Sequence, residues 1–191
     1  MFDQPAPARR PLHDLIRLRF SGRAFDSKPI EREKLLACLE AACWAPSLSN
    51  EQSWSFVVGV KGEGSAWQKI YDTLMKGNQV WNTPVPVLIL ACAKKKTSKG
   101  EDYHHAWHDL GAACENLHLQ AVALGLRTHP MAGFDPARAH ESLGLSADVD
   151  AVTVISMGYP SSPDVLNEPQ KSWEKAPRTR KAFEDSVIFL E

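Results

Sequence analysis

Residues 103–124 hold one unbroken helical spacing of apolar side chains: Tyr103, Ala106, Trp107, Leu110, Ala113, Cys114, Leu117, Ala121 and Leu124. From Leu110 onward small and apolar residues occupy almost every side of that helix, and Gly125 supplies the stop beyond its C-terminus. A helix without a polar face has no side to turn to water. It is therefore expected at the centre of the fold and also against a second subunit. The rest of the chain has the material to surround it, since 43% of the 191 residues are hydrophobic and 24% charged, as in ordinary folded proteins. Area scaling places roughly 70% of the unfolded chain's surface inside a single unit of this size, spanning residues 1–191.

Charge narrows the partners. Lys+Arg total 22 against 23 Asp+Glu, a net charge of -1. Nucleic-acid and anionic-membrane binders concentrate positive charge, so neither nucleic acid nor membrane is expected as a partner. No apolar run reaches about 18 residues, and the first ten carry Asp3, prolines and arginines where a signal peptide would be apolar, so a cytoplasmic setting is expected. Cys38, Cys43, Cys92 and Cys114 stand singly among apolar neighbours without C-x-x-C spacing, and are expected as buried free thiols.

The remaining elements follow from pattern. Leu12, Leu15 and Ile16 suggest a short helix. Pro29 precedes one of about 14 residues whose inner face reads Leu35, Cys38, Leu39, Ala42 and Cys43, ended by Pro46. Strands are expected at residues 56–60, 85–93, 126–131 and 151–157, with helices at 67–76 and 136–143. Residues 161–177, rich in Pro, Ser and Glu, read as a long connection or arm. Beyond it, residues 186–190 have strand character, which a second subunit's sheet would stabilise.

Several segments could carry chemistry. Gly59, Gly62 and Gly64 follow the first strand, but as G-x-x-G-x-G with two helices before it, which does not fit a dinucleotide fingerprint and reads as a loop. In an extended segment Arg19, Ser21 and Arg23 fall on one side, two guanidinium groups and a hydroxyl suited to a phosphate dianion. A solvated turn is the competing reading. Arg178 and Arg180 repeat the spacing near the other end. Ser47, Ser49, Asn50 and Gln52 crowd donors and acceptors into one loop, enough to bond a polyol or heterocycle edge, or one another. His104 and His108 have chelating spacing but no third ligand type nearby. Cys114 with His118 could read as a thiol and its base, although an apolar helix favours an inert thiol.

Four stretches in order carry a resemblance: Arg19-Phe-Ser-Gly-Arg-Ala-Phe25; Ala45-Pro-Ser followed by Asn50, Gln52 and Trp54; Gly77-Asn-Gln79; and His129-Pro-Met-Ala-Gly-Phe-Asp135. From about Leu12 to Val187 the chain resembles the FMN-dependent nitroreductase family. The resemblance implies an α+β fold with a mixed, mainly antiparallel central sheet between helix layers, in an intertwined homodimer with two FMN at the interface. An arm of about residues 161–191 would reach the partner. Arg19, Ser21 and Arg23 match the phosphate and ribityl clamp, and Arg178 and Arg180 its C-terminal basic pair. Phe20, within the clamp, stands where many members have a second basic residue. Pro46, Ser47, Leu48 and Asn50 match the loop that reaches the flavin from the other subunit. Asn78 matches a polar contact to the ring, and Pro130, Met131, Ala132 and Gly133 the segment along the isoalloxazine.

The implied activity is hydride transfer from NADH or NADPH through FMN to nitroaromatics, quinones or similar small acceptors by a ping-pong mechanism. The protein supplies orientation and electrostatics while the cofactor does the chemistry, so no catalytic side chain is expected. A flavin-binding sensor or store without turnover is the alternative. Trp44 and Trp54 flank the flavin loop, and Trp81 and Trp107 fall where a ring-shaped ligand would need walls.

Overall fold

A computed structural model describes residues 4–190. Four strands form one sheet in the order β1-β2-β4-β3, with β1 (Trp54–Val60), β2 (Val87–Lys94), β3 (Arg127–Met131) and β4 (Val149–Gly158). The expected mixed sheet is corrected here: among the described residues every strand pair is antiparallel. The reason is topological. β2 and β3 run the same way and are joined across a long helix, but β4 inserts between them and pairs with both.

Helices cover both faces. α1 (Asp14–Leu18) opens the chain and α2 (Arg32–Cys43) follows; α3 (Ala66–Thr73) and α4 (Lys76–Asn82) lie between β1 and β2. α5 (Ala106–Ala123) joins β2 to β3, α6 (Pro136–Leu143) joins β3 to β4, and α7 (Gln170–Lys175) lies beyond the sheet. β2 is buried on both sides and alternates between two cores. Val87, Ile89 and Ala91 pack with Leu35 and Cys38 of α2 and Leu110 and Leu117 of α5. Leu88, Leu90 and Cys92 pack with Trp67 and Ile70 of α3, Trp81 of α4 and Ala139 of α6. These two cores make the three layers.

Several boundaries differ from expectation for identifiable reasons. β2 begins at Val87, not residue 85, because Pro86 has no N–H to give the ladder. The helix expected over 67–76 breaks at Leu74, whose extended backbone bridges to Phe134, and a separate α4 then carries Asn78. Cys43 is exposed, one step past Ala42, the last buried position of α2. α5 starts at Ala106 and ends before Gly125, whose φ of 72° is the left-handed value glycine tolerates. The chain covers one side of α5 only. Trp107, Gly111 and Glu115 are exposed, with Ala112, Leu119 and Val122 half-buried.

The connection at 161–177 is also corrected, since it contains α7 and a 3-10 turn at Pro163–Val165 that dock on this chain. Residues 187–190 form no strand within the described chain, and Ile188, Phe189 and Leu190 are 80%, 83% and 93% exposed.

Candidate functional site

The segment between α1 and α2 is held by its backbone. Ala24 accepts from the Ser161 N–H, the Asp26 N–H reaches Tyr159 O, and Phe25 bridges to Pro160. Beneath it lies Glu174 of α7, fully buried. One carboxylate oxygen accepts the Arg23 N–H at 2.6 Å, and the other pairs with Arg127 Nη1 at 2.9 Å. A Cβ on Gly22 would stand 2.5 Å from that second oxygen, so the chain can lie this close only where residue 22 has no side chain.

Above this floor the side chains separate. Arg19 Nη1 donates to Ser21 Oγ at 3.0 Å, while the Arg23 guanidinium packs over Trp173 and Trp81, 5.3 and 6.0 Å from their rings. The three residues therefore do not present one uniform row. Arg178 comes from the far end of the chain and donates to the carbonyls of Gln4 and Arg17, and Gln4 Nε2 in turn donates to Glu174 O. Arg180 is exposed and bonds Thr179 O. Burial lowers the Arg178 pKa, and the positive charges of Arg19 and Arg180 lower it further. Arg178 thus feels the charge of two other guanidinium groups, an arrangement an anion would relieve. Phe20 lies between two cations, with the guanidinium carbons of Arg127 and Arg178 at 5.6 and 5.7 Å from its ring. An aromatic face fits that position better than another positive charge.

Two histidines lie near these arginines. His129 Nδ1 is 3.2 Å from Gly22 O, and its ring is tilted against Trp81 at 4.7 Å. Burial pushes His129 and His118 down to about 4, helped by the charges of Arg23 and Arg19 respectively, so both are neutral near pH 7. Burial pushes the Cys114 thiol up to about 12, with Glu115 adding to it. A thiolate–imidazolium pair needs the opposite shifts, which removes the thiol-and-base reading of Cys114 with His118. Trp81 is itself buried, so it backs Arg23 and His129 and is not an open wall.

The second part of the site is the loop before β1. Pro46, Leu48 and Asn50 are exposed and Ser47 is half-buried. Ser47 Oγ accepts from the Gln52 N–H and Gln52 Nε2 donates to Asn50 O, so part of the dense polar set is satisfied internally. Asp109 and Tyr103 hold the backbone of Leu48, a role nothing in the sequence pattern signalled. The third part is the end of β3. Pro130 and Ala132 face outward, while Met131 points into the core with its sulfur 3.3 Å from Asn82 Nδ2. Met131 could therefore meet a ligand through its backbone only. Asn78 Nδ2 donates to Gly133 O at 2.9 Å and fills the space a Cβ there would need.

Glu174 was missed because it lies in a segment rich in Pro and Ser, and only its place before Arg178 could have marked it. Asp109 could have been noticed as an acid on a helix face otherwise apolar.

Comparison with known proteins bears on the family and the fold. The Nitroreductase family model matches residues 16–83 and 63–159. A protein of Archaeoglobus fulgidus, provisionally named NADH dehydrogenase/NAD(P)H nitroreductase, is 31% identical over 151 residues, covering 76% of this chain and 83% of its own. A similarly named protein of Xanthomonas oryzae is 25% identical, covering 87% and 94%. Among solved structures, an oxidoreductase containing FMN superposes with a TM-score of 0.89 at 31% identity, over 95% of this chain and 92% of that one. A nitroreductase-like protein of Desulfovibrio desulfuricans in complex with FMN shares the fold, with a TM-score of 0.75 at 21% identity over 96% and 99%. On the matched length and the identity to its relatives, the chain belongs to the nitroreductase family.

Proposed function

We propose that the protein is an FMN-dependent oxidoreductase that takes hydride from NADH or NADPH and delivers it to small acceptors such as nitroaromatics or quinones, in ping-pong order. The observation that carries this reading is that Arg178, from the far end of the chain, packs over the ring of Phe20, whose neighbours Arg19 and Ser21 are joined at 3.0 Å, so positive charge from two distant segments gathers beside a hydroxyl, as a phosphate monoester requires. FMN, when bound, supplies the ring that accepts and returns the hydride. The chain's own residues bind and orient it. Arg19, Ser21, Arg178 and Arg180 hold the phosphate, and Arg23, fixed on Trp81 and Trp173, brings positive charge toward the ring. Phe20 spaces the cations. Asn78 and the main chain of residues 130–133 form the strip beside the isoalloxazine, with Pro130 and Ala132 as its outer surface.

Two subunits complete each site in this reading, with Pro46, Ser47, Leu48 and Asn50 closing over the partner's flavin. The single chain exposes 11074 Å², against about 9,000 Å² expected for a compact monomer of its mass. The excess and the open side of α5 both support a partner. So does the groove of about 210 Å³ between α2 and β1, where Leu35, Leu36, Leu39, Val58 and Val60 form an apolar floor and Arg32 and Glu63 a charged rim. We place the partner's residues 186–190 along the open edge of β1, as the distal part of an otherwise single unit of residues 1–191.

The absorbance spectrum tests the reading. Purified protein should be yellow and should bleach when NADH or NADPH is added without oxygen. Yellow protein that does not bleach would favour the sensor or store, and colourless protein unable to take up FMN would overturn both.

A further inference from the structure

The loop at residues 46–52 is strained and its main chain is held from outside. Ser49, Asn50 and Gln52 have φ values of 52°, 57° and 48°, a left-handed conformation that Asn tolerates but that is unfavourable for Ser and Gln. Such a conformation persists only where surrounding structure imposes it. Here Asp109 Oδ2 accepts the Leu48 N–H at 3.2 Å, and the Tyr103 hydroxyl lies 3.2 Å from Leu48 O while also bonding Asp109. The hydroxyl has one proton and gives it to Asp109 in the short contact, so Tyr103 holds the carboxylate that in turn holds the Leu48 N–H. A second tether acts three residues on, where Glu51 accepts from both the N–H and the hydroxyl of Ser98 at 2.8 Å.

The grip uses a buried carboxylate. Asp109 is 2% exposed in the first turn of α5, where the helix dipole favours negative charge. Burial alone would raise its pKa, but the hydrogen bonds from Tyr103, His108 and Leu48 outweigh it and hold the carboxyl below the ordinary aspartate value. Burial first and then Asp109 push the Tyr103 hydroxyl up to about 12, so it stays a donor. What the grip displays is Leu48 itself, whose side chain is 50% exposed above an immobilised backbone.

We propose that Asp109 and Tyr103 are positioning residues that fix the loop at 46–52 so that Leu48 meets the bound ligand in one orientation. The inference rests on the FMN reading above, because that reading supplies the ligand.

Hydrogen exchange and FMN titration on the purified protein test it, using wild type, Tyr103→Phe and Asp109→Asn. In FMN-free protein, exchange at residues 47–52 should rise about tenfold in either variant, while the amides of residues 110–120 keep their wild-type protection. The FMN dissociation constant should rise about tenfold for Tyr103→Phe, and further for Asp109→Asn. Tyr103→Phe removes only a hydroxyl and keeps the test valid where Asp109→Asn fails to fold. Unchanged loop exchange overturns the grip. A loosened loop with unchanged FMN affinity overturns its role toward the ligand. Wild type that does not bind FMN overturns the preceding reading, and the ligand role with it.

Discussion

Arg127 and Glu174 are paired at 2.9 Å with both side chains withdrawn from water, and the same carboxylate receives the backbone N–H of Arg23. Glu174→Ala removes the buried carboxylate that both the Arg127 guanidinium and the Arg23 N–H use. Glu174→Ala should destabilise the fold by about 3–5 kcal/mol in denaturant unfolding. Glu174→Gln, which keeps an acceptor for the Arg23 N–H, should cost less, and equal losses would show that the hydrogen bond to Arg23 contributes nothing separable.

The phosphate assignment predicts a specific loss. Arg19→Ala should weaken FMN binding about 10–100-fold, read by flavin fluorescence titration, because a charge-assisted hydrogen bond is lost. Adding Arg23→Ala should release FMN from a dimer that still folds. Unchanged affinity in the double variant would remove the clamp from the site.

Stability should fall in mild acid. His118 and His129 are held near 4 in the fold and return to about 6.5 in the unfolded chain, which therefore binds more protons between these values. Their contribution is present in full above about pH 6.5 and is lost as pH falls toward 4. Each tenfold difference in proton affinity is about 1.4 kcal/mol, so the two together account for several kcal/mol. Urea midpoints measured across this window should drop, and His118→Leu should flatten part of the drop. No partner bonds its Nδ1 among the described residues, so little is lost with that ring.

Association should depend on the chain's last strand-like segment. Ile188→Asp or Leu190→Asp should shift sedimentation from dimer to monomer and lower FMN affinity, since the loop at Leu48 would then have no partner site to close. A dimer unaffected by both changes would place the interface elsewhere.

Gly59→Ala should destabilise by about 1–3 kcal/mol in thermal or urea unfolding, because the new Cβ would lie 2.5 Å from the backbone of Trp67, which cannot give way.

Much of this was legible in the sequence because it is local. The unbroken apolar run of β2, the apolar run of α5 and the helical stretch that begins at Pro136 each state an element within a few residues. Arg19 and Ser21 were legible as neighbours for the same reason. The turn of Arg23 onto Trp81 and Trp173 was not, because it depends on Glu174, 151 residues away. α4 was hidden by Gly77 and Asn78, weak helix formers that fold here because Asn78 and Asn82 are tied to Gly133 and Ser156. The grip on Leu48 joins Tyr103 and Asp109 to a loop 55 and 61 residues earlier, and no periodicity encodes that distance.

The knot of Gln4, Arg17, Glu174 and Arg178 has a consequence for biosynthesis. The segment bearing Arg19 is made early, yet its floor and its third guanidinium arrive only when residues 174–178 leave the ribosome. Domains fold as they emerge, at about 5–20 residues per second, so the sheet and its two cores can form while the anion site is still without Glu174 and Arg178. Any anion taken up there would meet the full set of groups only after residues 174–178 have joined the fold. A protease nick between β4 and α7 would keep the four-strand sheet on one piece of chain while separating Glu174 and Arg178 from the segment that bears Arg19.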